Sequence, residues 1–247
     1  MFKKSSKGYY FWEEFARVDG IVHGFSTRKF ADMNIKNPKS NSSLGNFLKK
    51  MGVGNKSVVK MNQVHGNNVS FISSYNHKEI IDKTDGLIAS QKDVFLVVTF
   101  ADCVPALFLD KNKKFFGIAH AGWKGVYKEI VKTMIEKMVK KGSRRSEIMV
   151  GLGPSIRVCC YDVYKDRVDA FKDKFPKMKK IAKIKNGKIF LDLIKIVKLQ
   201  LKNCGILDRN ILDCKLCTKD NILDFYSFRK EGNTKSFGLS SGIIGRI

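Results

Sequence analysis

Apolar residues in this chain come in short runs, and their spacing divides it into strands and helices. Residues 95–99, 106–109 and 115–119 are apolar or β-branched runs separated by polar turns, the pattern of neighbouring buried strands. Residues 58–61, 69–72 and 148–152 read the same way. Thr84-Asp85-Gly86 reads as a turn entering a strand. In residues 126–140 the apolar positions Val126, Ile130, Met134 and Met138 recur every four, with Lys and Glu between them. That spacing predicts an amphipathic helix closed at Gly142. Residues 44–51 predict a short helix stopped by Gly52, and residues 163–175 and 191–203 predict two more. The last has Asp192 in its first turn, where a carboxylate suits the positive helix end, and Gly205 as its stop. Residues 9–27 hold two apolar pieces split by Asp19-Gly20, which predicts a hairpin. Residues 225–228 predict a final short strand before a Gly/Ser-rich end. Strands and helices alternate irregularly, and no repeat, linker or charge block divides them. The expected fold is α+β: a single domain over residues 1–247, with mixed β-sheets packed together and flanked by helices as a layered α/β/β/α sandwich.

Composition changes this picture little. The formal charge of +24 invites a nucleic-acid reading, since a basic surface attracts phosphate. Only nine of the 47 basic residues are Arg, the residue most used for bidentate phosphate and base contacts. The Lys are spread along the chain, and aromatic residues sit in apolar runs rather than among basic ones. Specific nucleic-acid binding is therefore not expected, and the charge reads as a solvated Lys-rich surface that also favours small anionic substrates. The start, Met1-Phe2-Lys3-Lys4, is followed by Ser5-Ser6-Lys7-Gly8 rather than an apolar stretch, and no run nears the roughly 18 residues needed to span a bilayer. A cytoplasmic location without membrane association is expected. The six Cys are then expected as reduced thiols or ligands.

Candidate chemistry centres on residues 95–125. One apolar run leads into Ala101-Asp102-Cys103 and another into His120-Ala121-Gly122-Trp123-Lys124-Gly125. A thiol and an imidazole at the ends of adjacent strands can converge. His65, in Gln63-Val64-His65-Gly66, offers a third donor. The chain has four His: His23, His65, His77 and His120. Two imidazoles and a thiolate suit zinc, and three protein ligands leave a fourth position open, as catalytic sites do. The separations of 38 and 17 residues match no compact finger pattern, so spacing alone favours a buried Cys and two ordinary polar His over a metal site. Cys214-Lys215-Leu216-Cys217 lacks the second pair that a zinc ribbon needs, and reads as buried thiols. Cys159-Cys160 are vicinal, which makes it hard for both to ligate one ion.

Several stretches together carry a resemblance. They are His23-Gly24-Phe25-Ser26-Thr27-Arg28, Gln63-Val64-His65-Gly66, Thr84-Asp85-Gly86-Leu87, Ala101-Asp102-Cys103-Val104-Pro105 and His120-Ala121-Gly122-Trp123-Lys124-Gly125. Further on come Gly153-Pro154-Ser155-Ile156, Cys159-Cys160-Tyr161-Asp162-Val163 and Phe225-Tyr226-Ser227-Phe228-Arg229. In this order they resemble the laccase-domain family, bacterial proteins first described as polyphenol oxidases and later as purine nucleoside phosphorylases with deaminase activity. The resemblance implies zinc on His65, Cys103 and His120. It implies phosphorolysis of adenosine, inosine and methylthioadenosine, and deamination of adenosine. The expected partners are purine nucleosides and phosphate, and the chain is expected to act as a monomer.

Within that reading Asp102, Cys103 and His120 are the catalytic candidates. Asp102 reads either as a proton carrier or as an acceptor that orients a ligand His. Asp85 reads as a turn residue. His23, Arg28, Lys124 and Arg229 are candidates to bind substrate or phosphate, with a core-satisfied His23 and surface ion pairs for the three cations as the alternatives, and Trp123 either stacks on a purine or fills the core. Two departures from the family stand out. Lys29-Phe30-Ala31-Asp32 replaces the Gly pair usual after Arg28, and Lys124 stands where Arg is usual, a point charge in place of a planar fork. Copper-dependent phenol oxidation finds little support, because four His cannot furnish a multicopper centre. The other rivals are a cell-wall precursor-editing amidase with Cys103 as nucleophile, and a non-enzymatic basic binding protein.

Overall fold

The apolar runs on either side of Asp102 belong to two different sheets. The computed structural model describes residues 1–35, 37, 39–54, 56–73, 80–112, 115–234 and 237–247. Among these, a seven-stranded sheet runs in the order Phe2–Lys4, Tyr10–Trp12, Ile21–Phe25, Ser240–Arg246, Val94–Phe100, Ser57–Met61, Ile80–Ile81. A six-stranded sheet runs Ile211–Asp213, Ile148–Leu152, Val104–Asp110, Phe115–Ala121, Gly86–Ala89, Val69–Phe71. A small third sheet joins Asp162–Val163, Lys188–Leu191 and Ala182–Lys185. Both large sheets are mixed. Val94–Phe100 is parallel to Ser57–Met61 and antiparallel to Ser240–Arg246. Ile148–Leu152 is parallel to Ile211–Asp213 and antiparallel to Val104–Asp110.

The alternation of side chains explains the layering. Val94, Leu96, Val98 and Phe100 enter a core shared with Leu107, Leu109, Phe116 and Ile118 of the six-stranded sheet. Phe95 and Val97 point the other way, against Leu44, Phe47 and Leu48 of the helix Ser40–Lys50. Val104, Ala106 and Phe108 face the helices Ile130–Lys140 and Leu193–Asn203. The layers are therefore helix, sheet, sheet, helix, as expected. Strands buried on both faces read as continuous apolar runs, which is why these segments lack polar alternation.

Four local expectations need correction. The helix expected over 126–140 is two helices, Trp123–Tyr127 and Ile130–Lys140, with Glu129 in the left-handed region (φ 63°) between them. Gln200 Nε2 donates to the Val126 carbonyl at 2.8 Å and so fastens the short helix to Leu193–Asn203. Between Tyr10–Trp12 and Ile21–Phe25, which do pair antiparallel, the chain makes the helical turn Glu13–Ala16 before Asp19-Gly20, so the connection is no tight hairpin. Asp192 is the N-cap of its helix, its Oδ1 accepting from the Lys195 amide at 2.9 Å. Residues 225–227 form no strand, and Phe228–Glu231 is helical. The last strand lies in the Gly/Ser-rich end: Ser240–Arg246 sits between Ile21–Phe25 and Val94–Phe100. Small residues are required there. A Cβ on Gly245 would fall 2.4 Å from the Phe95 ring.

Of its two expected roles, His23 takes the one in the core. It lies on the strand Ile21–Phe25, is 4% exposed, and packs beside Phe15 with ring centroids 5.2 Å apart. Its Nε2 accepts the Trp12 amide at 2.8 Å, which fixes the neutral ring. Burial pushes its pKa down to about 3. This has a signed consequence. Below about pH 6.5 the unfolded chain protonates His23 while the folded chain does not, so stability is full above that pH and falls as pH drops towards 3. Between pH 8 and pH 5 the expected loss is about 2 kcal/mol. Denaturant midpoints at the two pH values check it: His23→Gln, which keeps an acceptor and does not titrate, should flatten the acid limb. An unchanged slope would remove His23 as its source.

Candidate metal centre

Cys103 occupies the crossing point between the two sheets. Val94–Phe100 ends, residues 101–103 bend, and Val104–Asp110 begins in the other sheet. Asp102 takes φ 83° in this bend, a left-handed conformation that a non-glycine residue avoids without compensation. The compensation is visible. Its Oδ1 accepts from the Thr218 hydroxyl at 2.6 Å, its Oδ2 from the Arg229 amide at 2.7 Å, and its carbonyl from the Ile156 amide at 2.9 Å. Both carboxylate oxygens are thus engaged in holding the bend and Arg229. Neither bonds a ring of His65 or His120, so Asp102 is placed as an anchor of the Cys103 turn.

His120 stands on Phe115–Ala121, opposite Pro105 of the adjacent strand. His65 comes from the loop before Val69–Phe71. The donor atoms of His65, Cys103 and His120 all lie within 4.8 Å of one another. The two rings are 4.7 Å apart at 82°, edge to face. Gly122 makes this closeness feasible: a Cβ there would sit 2.9 Å from both Cys103 Sγ and His65 Cδ2. Gly122 therefore makes room for the three donors.

Asp85 organises the centre. The aspartate is fully buried, and its Oδ1 lies 2.9 Å from His120 Nδ1. The same carboxylate accepts the amides of Val64, His65 and Gly66 at 3.2, 3.0 and 2.7 Å. Three consecutive amides turned onto one acceptor curl the loop, and His65 takes φ 57° in consequence. With Nδ1 held, Nε2 is the nitrogen of His120 left to bind a metal. Asp85 is thus no mere turn residue.

The electrostatics suit a cation. Burial alone would raise the Cys103 thiol, but His120 and His65 outweigh it and bring it down to about 6. His120 is pushed up to about 9, against burial, by Cys103 and Asp85. Cys103 and His120 thus each favour the charged form of the other. The thiolate is the ligating form, and a cation replaces the proton that His120 shares with it. A soft sulfur and two imidazoles are donors zinc accepts.

A cavity of about 490 Å³ opens over these residues. Phe100, Trp123, Phe228 and Phe237 form much of its apolar wall. Two cations line it, Arg167 and Arg229. The Arg167 guanidinium lies 4.2 Å from the centre of the Trp123 ring, and Arg229 reaches the Asp162 carbonyl at 2.9 Å. Of the other expected anion ligands, Arg28 is ion-paired to Glu231 and stacked over Tyr226, and Lys124 is exposed beside Trp123. Neither lines the cavity. His77 lies outside the described residues. Sequence reasoning missed Arg167, although it is the single Arg of the Lys-dense stretch 165–188.

Fold and site together define a mixed α+β protein with a Cys–His₂ centre at the junction of its two sheets. The chain belongs to the family described as multi-copper polyphenol oxidoreductase laccase, whose model matches residues 22–246. It is 35% identical over 179 residues to purine nucleoside phosphorylase YlmD of Bacillus subtilis, covering 68% of this chain and 64% of that protein. It is 28% identical to human purine nucleoside phosphorylase LACC1, covering 92% of this chain and 56% of the human protein. The chain thus spans less than two thirds of the length of these relatives. A third relative, adenosine deaminase RL5 from an unknown prokaryotic organism, is 28% identical over 74% of this chain and 73% of its own. Among solved structures, YlmD of Geobacillus stearothermophilus superposes with a TM-score of 0.88 at 25% identity, covering 99% of this chain and 98% of that one. The hypothetical protein YfiH of Bacillus licheniformis superposes at 0.89 and 24% identity over 100% and 99%. Among the described residues, no helix is long and apolar enough to cross a membrane.

Proposed function

We propose that the chain is a zinc-assisted purine nucleoside enzyme, cleaving the glycosidic bond of adenosine, inosine or methylthioadenosine with phosphate and deaminating adenosine. The observation that carries this reading is the convergence of His65, Cys103 and His120 beneath a cavity that also presents two Arg. The names of the relatives supply the substrate class. When bound, zinc supplies Lewis acidity at the cavity floor. The chain's own residues do the rest. Asp85 holds His120 in one ring orientation. The aromatic wall takes the flat base and excludes water. Arg167 and Arg229 draw phosphate towards C1′ of the ribose. A phosphate oxygen then bonds C1′ as the bond from C1′ to the purine nitrogen breaks, and the base leaves with a proton. In deamination a water oxygen bonds C6 and the amino group departs as ammonia.

Incubation of the zinc-loaded protein with adenosine and phosphate should give adenine with ribose 1-phosphate, and inosine. Absence of all three products would sink the reading. Arg167→Ala should raise the KM for phosphate by about 10–100-fold, the worth of one charge-assisted contact. Deamination, which uses no phosphate, should change much less. Equal losses in both would remove Arg167 from the phosphate site.

One observation favours a second reading. Cys103, His120 and Asp85 line up as nucleophile, base and orienting acid, as an amidase would require. Chelation separates the two, since a thiolate nucleophile keeps its activity without metal. Copper-dependent phenol oxidation is poorly supported by the donors, with two His at the centre and His23 in the core.

A further inference from the structure

Three thiols and a carboxylate meet outside the cavity wall. Cys159 and Cys160 come from the turn after Ile156, and Cys217 and Asp220 from the turn after Leu216. Their four donor atoms lie within 4.8 Å of one another. The Cys159 thiol donates to Asp220 Oδ2 at 3.1 Å, and the Cys160 thiol to Oδ1 at 3.0 Å. Neighbouring Cys side chains usually diverge. Here the turn closed by the Cys160 and Tyr161 amides on the Arg157 carbonyl, each at 2.9 Å, brings both to one side. This backbone thus reduces the obstacle that a vicinal pair poses to shared ligation.

We propose that Cys159, Cys160, Cys217 and Asp220 form a second metal site, for zinc or a similarly thiophilic divalent cation. A tetrahedral ion with bonds of about 2.3 Å spaces its donors about 3.8 Å apart, so closing this cluster takes small side-chain adjustments. Three thiolates select a soft cation over magnesium or calcium. Four protein donors leave no position for substrate, which makes the site structural, unlike the open centre of Cys103. Its position gives it a task. The two turns already meet through the Thr218 amide on the Ser155 carbonyl at 3.1 Å. They also supply the Ile156 amide and the Thr218 hydroxyl that hold Asp102. An ion joining them clamps the strained bend that carries Cys103. Cys214 is excluded, since its sulfur faces the Arg157 guanidinium at 3.2 Å.

The test uses the full chain with Cys103→Ala and His120→Ala, which removes the first centre from the count. Titrated with Co²⁺ under a phosphine reductant, this protein should bind one equivalent with intense thiolate-to-cobalt absorption. Adding Cys159→Ser should cut that band and weaken cobalt binding, and adding Cys160→Ser on the same turn should abolish it. Zinc should displace the cobalt one for one and raise the thermal midpoint. No thiolate–cobalt band in the parent double variant would overturn the proposal. So would a band that survives both substitutions, or thiol counts showing that two of the three Cys oxidise to a disulfide and exclude the metal. None of these readouts depends on nucleoside turnover, so the proposed activity can fail while this site stands, and the reverse.

Discussion

A Cys103→Ala chain is expected to lose one equivalent of zinc and about three decades of nucleoside turnover. The estimate follows from removing the sulfur donor of a three-donor centre. Lewis-acid stabilisation amounts to several kcal/mol, and each 1.36 kcal/mol is tenfold in rate. Cys103 is half-buried, and Asp85 still holds the His120 ring after its loss. The fold should therefore persist, and circular dichroism separates a dead site from an unfolded chain. Metal analysis alongside an assay with adenosine and phosphate reads the result. A variant that keeps its turnover would remove Cys103 from the chemistry. One that loses turnover but keeps its metal would favour the nucleophile reading.

Asp85→Asn should be nearly as damaging by a different route. The carboxylate serves three amides and the His120 ring from a fully buried position. An amide of the same shape turns one acceptor into a donor, so at least one buried N–H loses its partner, at a cost of about 1–3 kcal/mol. For a chain of this size that lowers the thermal midpoint by roughly 2–12 °C. Metal affinity should fall about 10–100-fold, the usual effect of losing the partner that orients a ligand His. A competition titration with a zinc chelator measures it. Unchanged affinity would mean that packing, rather than Asp85, sets the His120 ring.

The contrast between Asp85 and Cys103 shows what the sequence discloses. Cys103 and His120 were legible because each closes an apolar run, and strand ends are where side chains of adjacent strands converge. The layers were legible for the same reason: runs such as 95–99 have no polar face, which implies cover on both sides. Asp85 was not, because Thr-Asp-Gly spells a turn whatever the carboxylate touches, and its partners lie some 20 and 35 residues away in the chain. Arg28 and Lys124 stood in motifs with the right charge, but Glu231 and solvent claim them, and burial claims His23. Arg167 was hidden by its Lys-rich surroundings. The strand Ser240–Arg246 was masked because glycine and serine signal loops, and only the facing Phe25 and Phe95 rings turn their smallness into a requirement.

That strand also governs how fast the protein can be made. It bridges Ile21–Phe25 and Val94–Phe100, so Gly242 pairs with Phe25 across more than two hundred residues of chain. Closing so long a loop costs entropy before any contact repays it, and folding slows as such distant pairings accumulate. Until it docks, two long apolar strands carry unpaired edges, the surfaces on which chains join one another. Refolding from denaturant should therefore be slow and lose yield steeply with protein concentration, with the seven-stranded sheet the last part to become protected from hydrogen exchange.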